Sequence, residues 1–248
     1  MLKTAQSISQ ISSSRIGEID WIVIDGNSTD QSLKIVDEYK SIVGKCISED
    51  DAGIYNAMNK GLLLSEAEYV IFMNSGDCFS SINQFVEALL NTTADIVYGD
   101  LFIQTIGGKL TLIKQIKELD FAFMLGKTIN HQSYCIKRKL AQKHLFSFEY
   151  KIVADWVQLF EILKFENVIS QYIEIPICIY DGTGVSSTLD DLRIQERESY
   201  LSNNYSTWEL NSLVQLSRIR QRPWYDFIIR TLDSPKRSYL IKIISRIL

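Results

Sequence analysis

Trp21-Ile22-Val23-Ile24-Asp25 is a short β-branched apolar run, closed by Gly26-Asn27-Ser28. Such a run, bounded by turn residues, reads as a buried strand that delivers its last residue into a loop. The segments that follow repeat the arrangement. Residues 30–39 carry helical spacing through Leu33, Val36 and Tyr39, and Cys46-Ile47 reads as a second short strand. Ile54, Met58 and Leu62 recur at i, i+4 and i+8, which predicts a helix over 54–65. Residues 69–73 (YVIFM) read as a third buried strand, stopping at Asn74-Ser75-Gly76-Asp77. Strand, helix, strand, helix, strand within about 55 residues predicts a parallel sheet with crossover helices. Ligands of such sheets bind beyond the carboxyl ends of the strands, where residues 25–30 and 74–77 stand.

The second half reads differently. Residues 95–98 form a strand pattern, and residues 101–106 and 109–113 flank Gly107-Gly108 as a hairpin. Residues 133–136 read as another strand and 154–165 as a helix. Residues 168–180 read as a strand in which Pro176 marks an edge or a break. Residues 181–187 (DGTGVSS) read as a loop, and from Leu189 the pattern is helical to the end.

Composition narrows the function classes. A chain of 248 residues suffices for one sizeable domain with appendages or two small ones. Hydrophobic residues make up 46% and charged residues 23%, values of a globular rather than a disordered chain. A net charge of −4 argues against general nucleic-acid binding. Cys46, Cys78, Cys135 and Cys178 form no CxxC pair, so neither a zinc site nor a redox motif is indicated, and free thiols fit a reducing cytosol. No apolar run approaches the roughly 18 residues of a membrane span, and the N-terminus lacks the apolar core of a signal peptide. The expected location is cytoplasmic. From Ser206 to Leu248, eight Lys/Arg face three Asp/Glu. There residues 239–248 (YLIKIISRIL) would make a basic amphipathic helix, suited either to peripheral contact with an anionic membrane or to packing on the body of the protein.

Three clusters carry chemistry. Asp77, at a strand's carboxyl end, can hold Mg²⁺ or Mn²⁺ against a nucleotide diphosphate, although Asn74-Ser75-Gly76-Asp77 is also a good plain turn. In residues 25–30, Gly26 lets the backbone approach a ligand, while Ser28, Thr29 or Asp30 can cap the next helix. No P-loop and no GxGxxG is present, and Asn27, two after Asp25, disfavours an Asp-x-Asp phosphatase. The third cluster, residues 48–61 (SEDDAGIYNAMNKG), places Glu49, Asp50 and Asp51 before a helix bearing Tyr55, Asn56, Asn59 and Lys60. Acids there also suit the helix dipole, and Tyr55 and Asn59 share one face.

Taken together, WIVIDGNSTD, SEDDAGIYNAMNKG and EYVIFMNSGD closely resemble the family 2 glycosyltransferases, in the branch of colanic-acid-type surface-polysaccharide enzymes. His131-Gln132-Ser133, residues 150–156 (YKIVADW) and residues 184–187 (GVSS) extend the resemblance, which covers roughly residues 3 to 190. It implies an α/β fold of the GT-A type, a mixed sheet flanked by helices over residues 1–188, with a helical C-terminal extension over 189–248. It implies an inverting transfer from a nucleotide-diphospho-sugar, a UDP-sugar being the expected donor, to a saccharide or lipid-linked saccharide. Candidate donor contacts are Asp25, Gly26, Ser28, Asp30, Glu49, Asp51, Tyr55, Asn59, Lys60, Asn74, Ser75 and Gly76. Asp77 matches the carboxylate for Mg²⁺ or Mn²⁺. Asp155 matches the general base on the acceptor hydroxyl, although it could instead cap a helix before Trp156. His131 and Gln132 stand near acceptor and diphosphate. Trp156 could stack on a sugar, though a core aromatic reads better at that spacing.

The chain also departs from the family pattern. Family members open with an apolar strand and a nucleotide-lining turn, whereas residues 1–8 match the helix that follows them. About one strand and its loop, roughly 15 residues, is expected to be absent. Weak nucleotide binding and low stability are the expected results. Gly26 replaces an acid found in many uridine-nucleotide users, and the metal motif keeps only Asp77. The rival reading is a non-catalytic remnant that binds a partner. A nucleotidyltransferase is disfavoured, because no Gly-rich basic N-terminal loop is present.

Overall fold

The computed structural model describes residues 1–182 and 189–220. Helix α1 (Leu2–Ile8) leads through a 3-10 turn into β1 (Trp21–Asp25), then α2 (Ser32–Glu38) and β2 (Val43–Ser48). β1 and β2 pair in parallel, with Asp25 opposite Ser48. This is the crossover that the WIVID run predicts. Helix α3 (Ile54–Leu64) then packs beneath β1, with Gly61 facing Ile24.

The third strand departs from expectation. Only β3 (Tyr69–Val70) of the YVIFM run enters a ladder, and it pairs antiparallel with a later strand rather than with β1. An apolar run states that a segment is buried, not which neighbour buries it. The expected three-stranded parallel sheet is therefore two units. β1–β2 is a two-stranded sheet of its own, and no strand among the described residues joins it to the larger sheet. Helices and side chains bridge them instead. Ile8 and Ile11 pack on Ile82 and Val86, with Trp21 and Phe79 against that cluster. Thr4 Oγ1 donates to the Asp77 carbonyl at 2.6 Å, and Phe79 N–H donates to Ser7 Oγ at 3.0 Å, so α1 is stitched to residues 77–79.

The larger sheet has six strands. β4 (Cys78–Phe79) is followed by α4 (Ile82–Leu90), then the long β5 (Ile96–Gln104) turns into β6 (Leu110–Ile113). The Gly107-Gly108 hairpin is present as the sequence predicts, pairing Leu101 with Ile113. Helix α5 (Phe121–Gly126), β7 (Tyr134–Lys137), α6 (Arg138–Lys143), α7 (Ala154–Phe165) and β8 (Ser170–Asp181) follow. The order is β3-β7-β5-β8-β4, with β6 also on β5. Only the β5–β8 pair is parallel in this sheet, so it is mixed. Its register shifts around Asp100, opposite Pro176. Pro176 has no N–H for a ladder, which accounts for the break. Gly99 is required there, since a Cβ would lie 2.5 Å from the Ile175 carbonyl oxygen.

Helices α8 (Asp190–Asn204) and α9 (Thr207–Arg220) close the described chain. Tyr200 and Tyr205 enter the main core beside Trp156, Phe160 and Met124. Glu196 accepts backbone N–H groups from Lys151, Ile152 and Val153 at 2.8–3.2 Å, just before α7. The described part of the C-terminal extension thus shares the core of the sheet. No helix of the described residues is long and apolar enough to cross a membrane. The GVSS segment (184–187) and the basic stretch 239–248 lie outside the described residues.

Candidate active site

The loops after β1, β2 and β3, helix α3, the turn before β7 and the start of α7 hold the sequence-predicted residues, in two groups. The first surrounds the end of β1. Asp25 is buried, and its Oδ2 accepts Ser28 N–H at 3.0 Å and Ser48 Oγ–H at 2.7 Å. Burial works to raise its pKa, but those hydrogen bonds prevail and hold the carboxyl below the ordinary aspartate value. Gly26 lets Asp51 lie close over the backbone; a Cβ would meet Asp51 Oδ2 at 2.7 Å and push that side chain aside. Asp51 in turn accepts Gly53 N–H at 2.8 Å. Asn27 takes a left-handed backbone (φ 60°) and donates to Asp50 Oδ1 at 3.1 Å. Lys60 reaches Glu49 at 2.7 Å. Asp30 accepts Ser32 N–H at 2.8 Å from one residue before the N-cap of α2, which is Gln31.

Tyr55 and Asn59 are corrections. Both were expected to face the donor, and both point inward. Asn59 is 5% exposed; its amide donates to the Phe146 carbonyl at 2.9 Å and accepts Phe146 N–H at 3.0 Å. It replaces a strand partner for Phe146. Asn59→Ala strands two buried backbone groups, each worth about 1–3 kcal/mol, so a loss of about 2–6 kcal/mol in urea unfolding is expected. A loss under about 0.5 kcal/mol would contradict this buried role.

The second group joins β3's end to α7. Residues 74–77 form a turn in which Gly76 has φ 105° and Asp77 N–H returns to the Asn74 carbonyl at 3.1 Å. Ser75 Oγ accepts the Met1 amino group at 2.7 Å. Asn74 Nδ2 lies 3.0 Å from His131 Nε2, and His131 Nδ1 lies 2.9 Å from Asp155 Oδ2. The tautomer protonated at Nδ1 satisfies both, donating to Asp155 and accepting from Asn74. Asp155 Oδ1 accepts Tyr55 O–H at 3.0 Å and Trp156 N–H at 2.9 Å. Burial favours the neutral acid, yet the hydrogen bonds from His131, Tyr55 and Trp156 hold Asp155 below its ordinary pKa. Tyr55 therefore belongs to this group, as a donor to Asp155.

Asp77 is 3% exposed, with Oδ2 accepting Gln132 Nε2–H at 2.6 Å and Oδ1 accepting Asp181 N–H at 2.9 Å. Its burial raises its pKa despite these donors. A carboxylate offers about four lone-pair sites, so one on each oxygen remains. A Cβ on Gly76 would meet Asp181 Oδ2 at 3.2 Å, which sets a second carboxylate beside the turn. Two carboxylates of this kind suit a hard divalent cation. Asp181 carried no motif in the sequence; only the sheet register brings the end of β8 to this turn. Trp156 is a further correction to the acceptor residues: it is 2% exposed, donates Nε1–H to the Met124 carbonyl at 2.8 Å and stacks on Phe160, leaving no face for a sugar.

The chain is similar to known glycosyltransferases. A glycosyltransferase of PGL/p-HBAD biosynthesis from Mycobacterium bovis (strain BCG / Pasteur 1173P2) is 25% identical over 196 residues, covering 73% of each chain. The crystal structure of S. aureus TarS 1-349 in complex with UDP has TM-score 0.61 at 14% identity, covering 94% of this chain and 67% of that one. The mannosyltransferase PcManGT from Pyrobaculum calidifontis, in complex with GDP-Man and Mn2+, has TM-score 0.56 at 13% identity, covering 99% and 77%. These structures share a mixed α/β fold of the GT-A type with this chain. The family model of Glycosyl transferase family 2 matches residues 3–188, three quarters of the sequence and all of both site groups, so the chain belongs to that family and is a glycosyltransferase.

Proposed function

We propose that the chain transfers a sugar from a nucleotide-diphospho-sugar, with inversion, to a saccharide or lipid-linked acceptor in surface-polysaccharide synthesis. One observation carries this reading: the continuous link Asn74–His131–Asp155–Tyr55, which ties the turn at the end of β3 to an ionised carboxylate. An alcohol attacks poorly until its proton is removed as the bond forms. Asp155 accepts that proton. The acceptor oxygen bonds to the anomeric carbon, and the opposite carbon–oxygen bond breaks with its electron pair leaving on the nucleotide diphosphate. Attack from the face opposite the leaving group inverts the centre. His131 and Tyr55 orient Asp155 and keep it charged, while Asn74 fixes His131. Asp25, Gly26 and Asp51 line the side expected to take the nucleotide.

Asp77, with Asp181 beside it, would hold Mg²⁺ or Mn²⁺, which supplies positive charge against the leaving diphosphate. The TarS and PcManGT structures, described with UDP and with GDP-Man and Mn2+, support a nucleotide donor and a divalent ion of this kind. The test is calorimetric titration with UDP, GDP and dTDP, each with and without Mn²⁺. UDP is expected to bind in an Mn²⁺-dependent manner, and Asp77→Asn to weaken that binding at least tenfold. A folded chain that binds no nucleotide would instead favour a non-catalytic binding module.

A further inference from the structure

Arg197 lies on α8, beyond the segment matched by the family. Its guanidinium carbon sits 4.8 Å from the centre of the Trp156 ring, the residue that follows Asp155. Its neighbour Glu196 grips the backbone of residues 151–153, so this turn of α8 is fixed against the start of α7. No carboxylate pairs with Arg197 among the described residues, and its Nε is buried with no hydrogen-bond partner. One turn earlier, Arg193 is already neutralised by Asp190 at 2.6 Å. Glu196 is committed to backbone N–H groups, and Glu161 accepts Tyr200 O–H at 3.1 Å. Asp155 is held by His131 and Tyr55.

Arg197 is half-buried, and a guanidinium whose Nε is enclosed without a partner is stabilised by an anion that reaches it. Burial, then the Arg193 charge, lower the Arg197 pKa to about 10, while the Asp155 charge partly restores it. Guanidinium also has the planar donor fork that matches phosphate and carboxylate oxygens.

We propose that Arg197 binds an anionic group on the acceptor, a phosphate or a carboxylate carried close to the attacking hydroxyl. This rests on the assignment of Asp155 as the base, since Arg197 stacks on the residue after Asp155 and feels the Asp155 charge. The anion removes the unpaired charge, and Arg197 selects charged acceptors over neutral ones. Trp156 contributes as the platform that orients the guanidinium.

The test uses the full chain with three probes: glucose 1-phosphate, glucuronate and the neutral methyl glucoside. Binding is followed through the Arg197 side-chain N–H signal in ¹⁵N NMR, with UDP titrated separately. Glucose 1-phosphate or glucuronate is expected to shift that signal in the unmodified chain, and methyl glucoside to leave it in place. Arg197→Gln is expected to weaken binding of the anionic probe at least tenfold, with UDP affinity within twofold. Arg197→Lys, which keeps the charge but not the fork, falls between. An Arg197 signal unmoved by both anions, or equal affinity in all three chains, overturns the proposal. Loss of UDP binding in the unmodified chain would overturn the transferase reading separately, because the Arg197 signal reports on the anion without a nucleotide.

Discussion

Replacing Asp155 by Asn is expected to lower kcat by about 10²–10⁴-fold, the usual worth of a positioned general base. The substitution removes basicity and little else. An amide at this position still offers Oδ1 to Tyr55 O–H and Trp156 N–H, whose bonds to the native carboxylate are 3.0 and 2.9 Å. Its Nδ2 would face His131 Nδ1, which accepts by changing tautomer, with the Asn74 amide turning over to present Oδ1 to His131 Nε2–H. Nucleotide affinity is expected to stay within twofold, because Asp155 touches the donor-side turn only through His131. The measurement is kcat beside UDP affinity. A kcat within tenfold of the parent would remove Asp155 from the base role.

Phe160→Ala is expected to destabilise the fold by about 3–5 kcal/mol, the range for emptying a buried aromatic site. Phe160 is 0% exposed, stacks on Trp156 with ring centres 5.1 Å apart and meets Phe121, Tyr200 and Tyr205 edge-on. Rings from α5, α7, α8 and the α8–α9 turn surround it, so no single element can collapse into the gap. At roughly 2–4 °C per kcal/mol for a chain of this size, Tm should drop by about 6–20 °C. Calorimetric melting would show it, and a drop of less than about 3 °C would mean that α8 and α9 repack freely. The loss should extend to the active site, because α7 carries Asp155.

Much of this was legible in the residues. The WIVID and IYNAMNKGLL segments announce their strand and helix because β-branched runs and i, i+4 apolar spacing depend on local geometry. The link between Asn74, His131 and Asp155 was legible only as three separate motifs; the spacing 74, 131, 155 says nothing of a 2.9 Å contact. Periodicity placed Tyr55 and Asn59 on one face but not the direction of that face, so a structural amide read as a donor contact. The same holds for YVIFM, whose apolarity is satisfied by helices and β7. Arg197 gave no signal at all, since its meaning depends on Trp156, which is far from it in sequence and is reached only when α8 folds back.

The pairing of β5 with β8 has a consequence for biosynthesis. β7 and β6 cover one edge of β5, and the other edge waits for residues 170–181. At about 5–20 residues per second on the ribosome, that wait lasts roughly 4–15 s after β5 has been made. During this interval the growing chain presents an open apolar strand edge, the kind of surface that holding chaperones recognise. Release from such a chaperone would coincide with emergence of β8, the same strand whose last residue reaches the Asp77 turn. Completion of the sheet and assembly of the site are then a single late event in the life of the nascent chain.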